Sequence, residues 1–257
     1  MKKVNVNKIC WNITENCNRS CKHCFRFRNS EELSLEDNMK ILKKLKKEGT
    51  KSITWTGGEA TLYPNIEVLI NKSHDMGIIN NLITNGSTLT PKIIKEKFSN
   101  LDSITFSLDF ISDEDNIKFG RGDNYFSHLK EIISYINEEL PNIKVKINTV
   151  ILRDNKELLI DIYNEIKKFN ISKWKLIKFV SFRGTAYKNK DRYSTTTDDF
   201  IRKIVEVRRN HDNSFEIETV TTLNLEQNHV MIKPNGDLVI TIEGIDNLLF
   251  NILKEGE

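Results

Sequence analysis

Apolar positions recur every three or four residues in some stretches of this chain and every second residue in others. In HLKEIISYINEEL, Leu129, Ile132, Ile133, Ile136 and Leu140 have the spacing of a helix with one buried stripe. SLEDNMKILKKLKKEG predicts a second: Ser34 and Asp37 form a capping-box-like pair, Ile41, Leu42 and Leu45 make the stripe, and Gly49 closes it. IEVLINKSHDMG predicts another, closed by Gly77. So do a stretch opened by Pro91, NKELLIDIYNEIKKF with Asp154 as its cap, and TTDDFIRKIVEVRRN. Between them lie strand-like runs: VNVNKICWNIT, KSITW, IINNLIT, SITFSLD, KVKINTVIL and KWKLIKFV. The tail HVMIKPNGDLVITI predicts a hairpin turning at Pro234 to Asp237.

Strand and helix alternate about six times, which implies parallel pairing with crossovers of one hand. The expected architecture is α/β: a partial (β/α)6 TIM-like barrel with a short C-terminal extension. The expected division is a barrel over residues 1–212 and an extension with a hairpin over 213–257, packed on the barrel. The chain of 257 residues, 38% hydrophobic and 29% charged, suits a soluble globular protein. No secretory signal or membrane span is legible, so a cytoplasmic location is expected. The net charge of +3 is too mild to point to nucleic acid, although a local basic pocket for an anion is compatible with it.

Three of the four cysteines fall in NCNRSCKHCFRF: Cys17, Cys21 and Cys24. A disulfide would leave one of them over. Three thiolates can hold three corners of a cubane iron–sulfur cluster, which normally takes four cysteines, and so leave one iron open to a substrate or cofactor. Zinc would need a fourth ligand, for which His23 is the neighbour at hand. Cys10 reads as a small buried strand residue. His74, His128, His211 and His229 are scattered and carry no catalytic reading. Trp55 and Trp174 read as core or pocket wall, and Phe25 and Phe27 either cover the cysteine loop or merely fill space.

The spacing of Cys17, Cys21 and Cys24, just after a first strand, resembles the CxxxCxxC loop of the radical S-adenosylmethionine (SAM) superfamily. TWTGGEA resembles its GGE motif, at Gly57, Gly58 and Glu59. Asn85 in ITNG and Ser107 stand at ends of the next strands, and Arg121 in KFGRGDN resembles the arginine that meets the SAM carboxylate. The resemblance implies a 4Fe-4S cluster on the three cysteines, with SAM at the open iron. It implies an electron passed to SAM and a 5′-deoxyadenosyl radical that removes a substrate hydrogen. A reductant such as flavodoxin or ferredoxin is implied as partner.

Within the superfamily, FGRGDN, KINTVILRDN and WKLIKF resemble stretches of viperin-like enzymes. Those convert CTP or related nucleoside triphosphates to 3′-deoxy-3′,4′-didehydro nucleotides, products with an antiviral role. The residues themselves agree with an anion pocket. Alternation in KVKINTVIL puts Lys146 and Asn148 on one face and Val145, Ile147 and Thr149 on the other. A mid-strand lysine facing inward needs a charged partner, and Lys175 on the next strand can join it on a triphosphate. The resemblance implies Lys146, Asn148 and Lys175 as the substrate contacts. Ser52 and Cys10 stand where the viperin-like pattern has a lysine and an asparagine. A radical SAM maturase of a peptide or small molecule is the enzymatic alternative, and an iron–sulfur or zinc regulatory module the non-enzymatic one.

Overall fold

A computed structural model of the chain describes residues 5–25, 31–221, 230–242 and 244–254. Its strands are β1 (Lys8–Thr14), β2 (Ser52–Gly57), β3 (Ile79–Thr84), β4 (Ser103–Ser107), β5 (Lys144–Ile151), β6 (Ile171–Lys178), β7 (Glu216–Val220), β8 (Val230–Ile232), β9 (Asp237–Ile242) and β10 (Ile245–Asn251). The helices are α1 (Leu35–Lys47), α2 (Ile66–Asp75), α3 (Pro91–Lys97), α4 (Asp113–Phe119), α5 (Tyr125–Glu139), α6 (Leu159–Ile166), α7 (Gly184–Lys188), α8 (Lys190–Tyr193) and α9 (Thr197–Asn210). All ten strands join one sheet in the order β10-β9-β8-β1-β2-β3-β4-β5-β6-β7. β1 to β7 pair parallel in chain order, and β8 pairs parallel with β1. β9 and β10 continue that edge antiparallel. The fold is the expected α/β partial barrel, open, with antiparallel strands at its C-terminal edge.

Alternation decides which face of each strand carries helices. β5 buries Val145, Ile147, Thr149 and Ile151 and leaves Lys146, Asn148 and Val150 part-exposed on the other face. The outward row Trp11, Trp55, Leu82, Ile104 and Val145 is paired strand to strand and wholly inaccessible or nearly so. There Trp11 stacks on Trp55, with ring centroids 5.1 Å apart. Trp55 and Trp174 thus belong to the core beneath the helices, and each indole N–H is satisfied, by Asn80 Oδ1 and Thr149 Oγ1, both at 2.9 Å.

Ser34 caps α1 as its pattern predicts, accepting from the Asp37 amide at 3.1 Å and donating to its carboxylate at 2.9 Å. Asp154 does not cap a helix. The residues after β5 form turns, and α6 starts only at Leu159 with no side-chain cap. Asn155 takes over this connection: its Oδ1 accepts from the Leu152 amide at 2.7 Å, and its Nδ2 donates to the carbonyls of Val150 and Asp109. The hairpin turn lies where expected, with Lys233 N to Asp237 O at 2.8 Å and Gly236 at φ 84°. The stretch from 213 onward feeds both sheet edges, β7 beside β6 and β8 to β10 beside β1. Phe27 and His229 lie outside the described residues. Among the described residues, no helix is long and apolar enough to cross a membrane.

Candidate functional site

The parallel strands end toward one rim, and the loop after β1 holds Cys17, Cys21 and Cys24 over it. The loop has no regular structure and is held from two sides. Ser20 and Lys22 donate backbone bonds of 3.1 Å to the carbonyls of Gly120 and Phe119. On the other side, Ala186 N donates to Cys24 O at 2.9 Å, Asn189 Nδ2 to Lys22 O at 2.9 Å, and Arg183 Nε to Phe25 O at 3.2 Å. A β-carbon on Gly120, at φ 82°, would stand 2.4 Å from Ser20 O. The glycines of FGRGDN therefore let one loop lie directly on the other.

Gly57 and Gly58 have the same office at the end of β2. A β-carbon on Gly57 would meet Thr14 O at 2.3 Å, and one on Gly58 would meet Asn16 O at 2.3 Å. Glu59 is buried, and its carboxylate is filled by protein donors. Oε1 accepts from the hydroxyls of Thr61 and Thr84, both at 2.7 Å, and Oε2 from the Asn85 amide at 2.6 Å. It ties the end of β2 to the end of β3. Asn85 then points its Nδ2 at Cys17 Sγ, 3.8 Å away, and the Arg19 amide donates to the same sulfur at 3.4 Å.

These thiols open, with Cys10, onto one cavity of about 730 Å3. The cysteines are free thiols. Burial pushes the Cys21 thiol up, against the pull of Arg121. Three thiols on one wall with N–H groups aimed at a sulfur fit a cluster ligand set, because such hydrogen bonds stabilise ligating thiolates. Among the described residues, no three His, Cys, Asp or Glu side chains stand together as ligands of one metal ion. His23 is turned elsewhere, its Nε2 3.3 Å from Asp109 Oδ2.

Asp109 is a site residue that sequence reasoning missed. Buried just after β4, it accepts from the Val150 amide at 2.8 Å with Oδ1, and from Arg121 Nε at 3.0 Å and Nη2 with Oδ2. Burial pushes its pKa up, but Arg121, His23 and the Val150 amide outweigh that and hold it below the ordinary carboxylate value. Its legible signal was an acid closing an apolar strand, SITFSLDF, ahead of an arginine between two glycines. Arg121 lines the cavity, but its fork is engaged by Asp109, and Nη1 reaches the Tyr125 hydroxyl at 3.4 Å. Ser107 lines the cavity as well, and its carbonyl receives the Tyr125 hydroxyl.

Of the expected substrate contacts, Asn148 and Lys175 line the same cavity. They are cross-strand partners on β5 and β6. Lys175 is paired with Glu218 Oε1 at 3.0 Å, a partner on β7 that no local pattern revealed. Lys146 is not brought to the cavity wall. It lies one pair deeper, half-buried, with Nζ donating to Ser103 Oγ at 2.9 Å and no carboxylate in ion-pair range among the described residues. Burial, then Lys173, Lys175 and Lys144, pull its pKa below that of an ordinary lysine. Of the remaining histidines, His74 sits in the last turn of α2, His128 contacts the Gly86 carbonyl at 3.2 Å, and His211 packs on Tyr163 and Phe215.

The profile of the radical SAM superfamily matches residues 11–166 of this chain. An S-adenosylmethionine-dependent nucleotide dehydratase of Flammeovirga pacifica is 31% identical over 245 residues, covering 90% of this chain and 81% of that protein. One of the same name from Selenomonas ruminantium is 28% identical over 243 residues, covering 90% and 85%. Among solved structures, that of Streptococcus suis SuiB bound to precursor peptide SuiA superposes with a TM-score of 0.80 at 17% identity. It covers 97% of this chain, which spans only 63% of that one. At that identity the likeness speaks for the fold alone.

Proposed function

The chain belongs to the radical SAM superfamily, and on that premise we propose that it is a nucleotide dehydratase acting on a nucleoside triphosphate. The product would be the 3′-deoxy-3′,4′-didehydro nucleotide. One observation carries this reading: Cys17, Cys21 and Cys24 open onto the same cavity as Asn148 and Lys175. The two relatives named as nucleotide dehydratases support it, since each covers 90% of the chain.

Cys17, Cys21 and Cys24 would hold the 4Fe-4S cluster by three of its four corners and leave the fourth for SAM. When bound, the two supply the one-electron chemistry that removes hydrogen from a sugar carbon. The residues of this chain position the reactants. The carbonyl edge of Gly57 and Gly58, held in place by Glu59, would receive the SAM amino group. Ser107 and Asn85 border the same space. Arg121 would meet the SAM carboxylate from the cavity side while Asp109 fixes its plane. Lys175 and Asn148 would take the phosphates. Lys146 would join them by swinging from Ser103, since an unneutralised ammonium among lysines gains most from an anion. Phe25 and Phe179, which line the cavity, would help keep water from the reacting carbon.

The test is anaerobic turnover of reconstituted protein with SAM and dithionite, adding CTP, UTP, GTP and ATP separately. The expected result is 5′-deoxyadenosine formation stimulated by one or more of them, with a nucleotide product lighter by one water. Turnover that no nucleotide stimulates would overturn the reading in favour of a maturase.

A further inference from the structure

We propose that the outer face of α7 and α8, with Lys22 and Lys118 beside it, is the docking surface for an acidic one-electron carrier protein that reduces the cluster. The inference rests on the cysteine-loop reading and is independent of which substrate the cavity takes. Each reductive cleavage of SAM consumes one electron. The only cysteine outside the loop is Cys10, so the chain has no second cysteine set to hold an auxiliary cluster that would supply it. The electron passes from the reduced carrier to the oxidised cluster. The carrier is oxidised by one electron, and no bond or proton is transferred.

Residues 184–193 lie directly against the cysteine loop, yet none of them lines the cavity. Ala186 N reaches the carbonyl of Cys24, a proposed cluster ligand, at 2.9 Å. A partner seated on this segment therefore meets the loop without entering the space for SAM and substrate. Three segments converge at Lys22. Its amide donates to the Phe119 carbonyl at the end of α4, at 3.1 Å, and its own carbonyl accepts from Asn189 Nδ2 at 2.9 Å. Each segment brings cations: Lys118 from α4, Lys22 from the loop, and Lys188, Lys190 and Arg192 from α7 and α8. The acids beside them are Asp191 and Asp154, the latter 3.9 Å from Lys118. Five cations against two acids leave this patch with as much positive charge as the +3 of the entire chain. The helices on either side of Lys22 each expose a large apolar side chain, Ile117 at 57% and Tyr187 at 55%, and Lys190 Nζ stands 4.6 Å from the Tyr187 ring centroid. Exposed apolar groups bordered by cations have the make-up of an interface whose charged rim steers an anionic partner. Because the patch adjoins a cluster ligand, the anionic partner it fits is one that exchanges electrons.

The test uses cluster-loaded protein with flavodoxin hydroquinone as the carrier and dithionite as a small reductant that needs no docking. Absorbance follows cluster reduction, and calorimetry measures affinity for oxidised flavodoxin. Reduction of wild type by flavodoxin should slow about tenfold as salt rises from about 50 to 300 mM. Joint Lys188→Glu and Lys190→Glu substitution should weaken the complex and slow that reduction at least about tenfold at low salt. Reduction by dithionite should change less than about twofold, with iron content unchanged. Tyr187→Ala should weaken the complex several-fold and leave the salt slope as it was. Lys188→Gln with Lys190→Gln should fall between wild type and the reversed pair, and serves if the reversed pair does not fold. Lys43→Glu with Lys47→Glu, on the exposed side of α1, makes the same change in net charge and should behave as wild type. An equal loss in the α1 pair would trace the effect to overall charge and overturn the docking face. So would salt-independent reduction of wild type, or an equal slowing with dithionite. A wild-type protein that dithionite cannot reduce would instead overturn the cluster assignment itself.

Discussion

Asp109 receives both Nε and Nη2 of Arg121 on a single carboxylate oxygen, in a site where the two side chains are 1% and 5% exposed. The same carboxylate touches His23 of the cysteine loop and the amide of Val150 on β5. One buried pair thus joins three segments that are distant in the chain.

Breaking this pair by Asp109→Asn should destabilise the fold by about 3–5 kcal/mol, because Arg121 is left buried and uncompensated. Urea unfolding measures it, and a loss below 1 kcal/mol would contradict the geometry. The folded-state pKa of Asp109 is depressed, so its contribution is present above the unfolded carboxylate pKa and disappears as pH falls through the folded value. Wild type should lose stability below about pH 4 more steeply than the variant.

Gly120→Ala should displace the cysteine loop, since the added carbon meets Ser20 O and the residue must hold φ at 82°. Backbone strain alone is about 1–2 kcal/mol. Iron and sulfide content after reconstitution should fall by half or more. Gly49→Ala is the control: it has a similar φ of 88° with open space around it. It should lose stability but keep its cluster.

Glu59→Gln replaces one of two accepting oxygens with a donor facing Thr61, Thr84 or the Asn85 amide. The expected cost is about 1–3 kcal/mol of stability, with SAM affinity reduced several-fold as the β2 and β3 ends separate. Equal SAM affinity by equilibrium dialysis would mean that the brace is irrelevant to the ligand.

Lys146→Met removes a half-buried ammonium that has no carboxylate partner among the described residues. Nucleotide affinity should fall at least about tenfold, while the Tm of the nucleotide-free protein holds or rises. The folded-state pKa lies below the unfolded value, so native protein binds fewer protons than unfolded protein across that window. Stability from this group therefore increases as pH rises toward 10.5, and nucleotide affinity decreases over the same range. Equal nucleotide affinity in the variant would remove Lys146 from the site.

The α/β alternation, the helix stripes, the Ser34 cap and the hairpin at Gly236 were all legible in the chain, because each depends on neighbours within a few residues. So was the cysteine loop as a candidate ligand set, because its spacing is local. The partners of Asp109 and the pairing of Lys175 with Glu218 were not. Each depends on which strand lies beside which, and on what fills the space between them. β7 escaped notice for the same reason: its glutamates are matched by lysines on β6, not by any apolar pattern of its own. Local periodicity records how a segment meets the core, whereas a site at the strand ends is assembled by contacts between residues far apart in the chain, and only folding brings those together.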